Sequence, residues 1–80
     1  MSDKLIQDLV AALGGTSNIK QVEACITRLR VVLSDNSLLK KSALKKLGAI
    51  DVVKVGETQQ IIFGAKSAGY RDQINALLNA

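Results

Sequence analysis

The amino-acid sequence predicts an α+β fold, a two-layer sandwich in which a four-stranded, mainly antiparallel sheet carries three helices on one face, in the order α-β-β-α-β-β-α. Three observations lead to it. Apolar residues recur at helical spacing in three separate stretches, two pairs of short strand-like runs lie between them, and each pair is joined by a hairpin-length connection. Hairpin connections make the strands of a pair antiparallel, because a parallel crossover needs about a dozen residues or more. Helices on one side leave the other sheet face uncovered, and a polar site can stand there.

The elements follow in order. Leu5, Ile6, Leu9, Val10 and Leu13 form one stripe of a first helix, which Ser2 is placed to cap and Gly14–Gly15 to end. Thr16 to Asn18 form a polar loop, Ile19 to Ala24 a strand ending at Cys25, and Arg28 to Leu33 an alternating partner strand beyond a turn of Cys25, Ile26 and Thr27. Ser34–Asp35–Asn36–Ser37 is a capping cluster ahead of a short second helix with Leu39, Ala43, Leu44 and Leu47, ended by Gly48. The second strand pair comprises Val52, Val53 and Val55, the turn Gly56–Glu57–Thr58, and Gln60 to Phe63. Ser67 is expected to cap a last helix whose Tyr70, Ile74, Leu77 and Leu78 share a face. No linker or residue-level repeat interrupts this order, so residues 1–80 read as a single domain.

Composition narrows the chemistry. Residues of the apolar class make up 48% of the chain and aromatic residues only 2%, so Leu, Ile, Val and Ala fill the core. The absence of histidine removes the commonest general base and zinc ligand, and a single cysteine makes neither a disulfide nor a thiolate metal cluster. No metal and no cofactor are expected. There is no export signal and no apolar run of the roughly 20 residues that span a bilayer, so the expected location is the cytoplasm. A formal charge of +4 favours anionic partners without choosing among them.

The chemistry-bearing constellation surrounds Cys25. On the strand after the turn, alternation sends Leu29, Val31 and Leu33 to the helices and Arg28, Arg30 and Val32 to the uncovered face. Two guanidinium forks near a cysteine suit a doubly charged phosphoryl group, and the turn amides beside Cys25 can form an anion-binding nest. By itself this arrangement is also compatible with a buried structural cysteine and a solvated arginine face. Spacing excludes sharper alternatives: a phosphatase loop requires arginine where Val31 stands, and Gly64–Ala65–Lys66–Ser67 imitates only the tail of a P-loop.

Glu23–Ala24–Cys25–Ile26–Thr27–Arg28–Leu29–Arg30–Val31 resembles the phosphorylation-site signature of IIB domains of glucose-type sugar phosphotransferase systems, the glucose, N-acetylglucosamine and sucrose group. The resemblance continues through Leu44–Lys45–Lys46–Leu47–Gly48–Ala49, Val53 to Gly56 and Gln60–Ile61–Ile62–Phe63–Gly64, nearly the whole chain in order. It implies a protein-phosphocysteine–sugar phosphotransferase, in which Cys25 accepts phosphate from the phosphohistidine of a IIA protein or domain. Cys25 then passes it to a sugar held by a membrane-embedded IIC permease, to which this domain is peripheral. It further implies that Arg28 and Arg30 support delivery to the sugar and that Gln60, Thr27 and the turn residue Ile26 border the phosphoryl group. IIA is expected on the uncovered face through Ile26 and Val32, with the domain a monomer in isolation. Where relatives commonly carry aspartate, this chain has Glu23, expected to balance Arg28 or Arg30.

Two other readings compete. Lys40, Lys41, Lys45 and Lys46 would suit a nucleic-acid-binding module, but no aromatic stacking residues accompany the arginines and no reading-helix motif is present, so no nucleic acid is expected. A phospho-regulated adaptor of the same fold is opposed by the intact Cys-x-x-Arg-x-Arg pattern.

Overall fold

The computed structural model describes residues 3–79. Its first helix, α1 (Asp3–Ala12), buries Ile6, Leu9, Val10 and Ala12; the expected Ser2 cap lies outside the described residues. Gly14 and Gly15 end it as expected, with the Gly15 N–H returning to Val10 O at 2.9 Å. Gly14 needs its freedom: φ is 101°, and a Cβ there would meet Asn18 Nδ2 and the Leu38 side chain.

The polar stretch after α1 is a 3₁₀ turn, Thr16–Asn18, whose last residue is buried and fully used. Asn18 Nδ2 donates to Leu13 O at 2.8 Å and Asp35 O at 3.0 Å, its Oδ1 accepts from the Asp35 N–H at 2.8 Å, and its carbonyl accepts from the Ser34 N–H at 2.8 Å. One side chain therefore ties the end of α1 to the end of the second strand.

Strands β1 (Ile19–Cys25), β2 (Arg28–Leu33), β3 (Asp51–Val55) and β4 (Thr58–Ile62) form one antiparallel sheet in the order β1-β2-β4-β3. The two hairpins join through their second strands, which makes β2 and β4 central. Leu29, Val31 and Ile61 are wholly buried on the helical side, each contributing about 1.5–3 kcal/mol of transfer free energy. The second hairpin turns at Gly56, whose φ of 62° suits the primed turns that match strand twist. Its last strand starts two residues earlier and ends one residue earlier than expected, since Thr58 already belongs to β4 and Phe63 lies beyond it.

The helical layer departs from expectation in three places. The Asp35 carboxylate does not cap the second helix but accepts from the Ser37 N–H at 2.9 Å and its hydroxyl at 2.6 Å, closing a 3₁₀ turn over Asn36–Leu38. Local side-chain bonding consumes the capping cluster, and α2 (Lys41–Lys46) starts after it without a side-chain cap. Ser67 opens α3 (Ser67–Leu78) but is fully buried and donates its hydroxyl backwards to Gly64 O at 2.8 Å. On α3, Tyr70 and Ile74 are buried and Leu78 packs at their edge, while Leu77 is exposed. Phe63 and Tyr70 meet edge to face at 5.1 Å. No helix among the described residues is long and apolar enough to cross a membrane.

Asn18→Ala should lower stability by about 2–4 kcal/mol by leaving buried backbone groups unpaired, read as a lower urea midpoint with an unchanged slope. Asp35 gives a pH signature. The Ser37 hydroxyl and then its amide hold the Asp35 carboxyl below the ordinary aspartate value of 3.8. A lowered folded value contributes stability that is present above the unfolded value and lost as pH falls through the folded one. The difference in urea midpoint between the wild type and Asp35→Ala should therefore be full above about pH 4 and shrink on further acidification.

Candidate functional site

The alternation of β2 and its register with three other strands compose the open sheet face. Cys25 pairs with Arg28, Arg28 with Ile62 and Ile62 with Asp51, forming one row across the sheet at the end of the first hairpin. The next row, two residues along, is Glu23, Arg30, Gln60 and Val53, and the third is Gln21, Val32, Thr58 and Val55. Cys25, Arg28 and Arg30 are exposed, and Val32 is half-buried.

Gln60, at the centre of the middle row, is buried by its neighbours. Its Oε1 accepts from Arg28 Nη1 at 2.7 Å, a diagonal contact from one row to the next. The bond restrains one arm of Arg28 and leaves the rest of its fork for an anion near Cys25. Arg30 is differently placed: among the described residues it has neither an ion pair nor a side-chain hydrogen bond.

The turn between β1 and β2 holds only Ile26 and Thr27 between the paired Cys25 and Arg28. Ile26 is 88% exposed, which no packing requirement explains. Among the described residues no non-glycine residue has a positive φ, so the loop is not one of the primed turns usual for so short a hairpin, and the left-handed residue of an αR–αL nest is missing. The expected nest is thus not formed in that geometry. The turn is braced instead by the Gly64 N–H, which donates to Thr27 O at 2.9 Å and ties the cysteine loop to the end of β4. Gly64 does this with a φ of 78°.

Glu23 does not neutralise an arginine as expected. It stands directly opposite Arg30, but its Oε2 accepts from Gln21 Nε2 at 2.9 Å. A hollow of about 220 Å³ opens on this part of the face, lined by Gln21, Glu23, Arg30, Val32 and Thr58. Sequence reading did not single out Gln21 or Thr58. Alternation back from Glu23 would have placed Gln21 on the open face, whereas Thr58 required the β2–β4 register. Larger hollows lie on the helical side, one of about 510 Å³ between α1 and α2, and neither is lined by a thiol or a hydroxyl. Among the described residues no group of three or more potential ligands could hold a metal ion.

The arrangement presents an accessible thiol at a sheet end, a restrained guanidinium beside it and a second, uncommitted guanidinium one row away. Such a face suits a transferable anion with several oxygens.

Comparison with known proteins agrees with this geometry. The family described as phosphotransferase system, EIIB matches residues 7–39, a stretch that contains β1, the Cys25 turn and β2. The chain is 43% identical over 76 residues, 95% of its length, to the PTS system glucosamine-specific EIICBA component of Bacillus subtilis (strain 168). It is 41% identical over 76 residues, 94% of its length, to the PTS system N-acetylglucosamine-specific EIICBA component of Klebsiella pneumoniae. The chain spans 12% of the length of each of these relatives. A crystal structure of one domain of the PTS system IIabc component from Clostridium difficile shares the fold, with a TM-score of 0.78 over 95% of this chain and 80% of that one, at 23% identity. With the cysteine hairpin inside the matched region and the similarity running through both halves of the sheet, the chain belongs to the EIIB family of the phosphotransferase system, as a domain of the glucose type.

Proposed function

We propose that this domain is a phosphoryl carrier in sugar uptake, with Cys25 as the residue that is phosphorylated. The observation that carries the reading is the open-face row in which the exposed Cys25 pairs with Arg28, itself held by Gln60 at 2.7 Å. In the first transfer the phosphohistidine N–P bond of a IIA partner breaks as an S–P bond forms at Cys25 Sγ. In the second, that S–P bond breaks as an O–P bond forms on a hydroxyl of a sugar bound by a IIC permease, on the cytoplasmic side of the membrane. Amino sugars are the acceptor class suggested by the names of the two relatives, which carry all three components in one chain.

Roles follow from position. Arg28 and Arg30 neutralise the oxygens of the phosphoryl group in flight, where little covalent chemistry is left to the protein. Gln60 positions Arg28. Thr27 and the turn amides lie at the rim, and Ile26, an apolar side chain in water beside the nucleophile, is a contact for the docking partner. Val32 extends that contact along the open face. The exchange of partners calls for small, quickly released interfaces.

Cys25→Ser should abolish both transfers, since a serine hydroxyl without an adjacent base is a far poorer nucleophile. Phosphorylation by IIA is read as one added phosphoryl group in the intact mass, and delivery as sugar phosphate formed with IIC membranes. Arg30→Lys should separate the steps, leaving acceptance within a few fold of the wild type and slowing delivery by about 10- to 100-fold, because a point charge does not reproduce a bidentate fork. Equal loss of both steps, or of neither, would remove Arg30 from delivery. Chemical-shift mapping should place IIA on the open face around Ile26, and Ile26→Asp should weaken that binding without unfolding the domain; mapping to the helical layer would overturn the docking surface.

A further inference from the structure

Glu23 and Arg30 are direct cross-strand neighbours on one open face, an arrangement in which opposite charges normally meet. Here they remain apart. Glu23 is turned to Gln21 at 2.9 Å, Arg30 has no partner among the described residues, and both border the hollow of about 220 Å³. A negative wall, a positive wall, an amide and a hydroxyl from Gln21 and Thr58, and the apolar Val32 thus enclose a single space.

We propose that this hollow binds a hexosamine phosphate, a ligand with an anion at one end and an ammonium elsewhere on the ring. The phosphate dianion takes the Arg30 fork, and the ammonium takes the Glu23 carboxylate. Gln21 and Thr58 exchange hydrogen bonds with ring hydroxyls. Val32 offers its methyl groups to the C–H edge. A neutral sugar leaves both charges unanswered, and inorganic phosphate answers only one.

Position gives the site a consequence. Arg30 lies two strand residues from the row of Arg28 and Cys25, a step of about 7 Å, so a bound sugar phosphate stands beside the carrier cysteine. Resting on the carrier role proposed above, the site acts as product feedback: a sugar phosphate occupying Arg30 withdraws it from delivery of the next phosphoryl group.

The test is a titration of the ¹⁵N-labelled domain, as Cys25→Ser, with glucosamine 6-phosphate, glucose 6-phosphate, N-acetylglucosamine 6-phosphate and inorganic phosphate. The expected result is saturable shifts at the amides of Gln21, Glu23, Arg30 and Thr58, with glucosamine 6-phosphate binding about two- to fivefold tighter than either other sugar phosphate, the size of an exposed ion pair. Glu23→Gln should erase that preference while leaving the weaker phosphate-driven binding, and Arg30→Gln should remove binding of all three, each in a variant whose spectrum remains folded. Shifts elsewhere, no saturation, an equal response to inorganic phosphate, or a preference that survives Glu23→Gln would overturn the site. Since the domain titrated has no cysteine to phosphorylate, failure here leaves the carrier role standing, and failure of Cys25 to accept phosphate leaves the hollow untouched.

Discussion

Leu29 and Val31 are completely removed from water, and strand geometry makes that burial act on residues it never touches. Side chains alternate across a strand, so once these two face the helices, Arg28 and Arg30 face outward, and a slip of one residue would bury two guanidinium groups while exposing the core. The site and the core are therefore the two faces of one register. Both neighbours of β2 share the constraint, because Val22 on β1 and Ile61 on β4 are buried from the same side. The side chains of Cys25 and Gln60 are thereby carried to the arginine face.

A second constraint acts at the ends of β2. At one end, Asn18 joins the close of α1 to the chain beyond Leu33 with its amide and backbone, so the helical layer is indexed to the sheet by hydrogen bonds as well as by packing. At the other, Gly64 holds the carbonyl of Thr27. The cysteine hairpin closes on two residues without the positive φ that usually matches so short a turn to strand twist. Its conformation consequently depends on the neighbouring strand end more than on its own residues. An exposed cysteine is held in place from outside its loop, leaving Ile26 and the thiol accessible.

The sheet edges are left polar while the open face is graded. β1 carries Lys20 at a register irregularity between Ile19 and Gln21, and β3 carries the exposed Lys54, features that discourage edge-to-edge pairing with another chain. Across the face, charged and amide groups lie toward β1 and β2, while Val53 and Val55 are exposed on β3. A partner settling there meets an apolar margin on one side and the cations beside the thiol on the other.

Strand alternation and helical periodicity were legible in the residues themselves. They determined three helices, four strands, the inward trio Leu29, Val31 and Leu33, and the outward pair Arg28 and Arg30, because periods of 2 and 3.6 are local properties of the backbone. The glycine stops after α1 and α2 were legible for the same reason. What the residues could not disclose depends on which strand lies beside which. The β2–β4 pairing brings Gln60 from 32 positions away to Arg28 and places Thr58 beside Val32. Capping residues were visible, but their partners were not: Asp35 closed a turn of its own and Ser67 reached back to Gly64. The sequence alone determined the fold class and the open-face arginines beside Cys25; only tertiary structure decided that Gln60 holds Arg28, that Arg30 has no side-chain partner among the described residues, and that Glu23 opposite it bonds Gln21 instead, because such partners are chosen by register and packing.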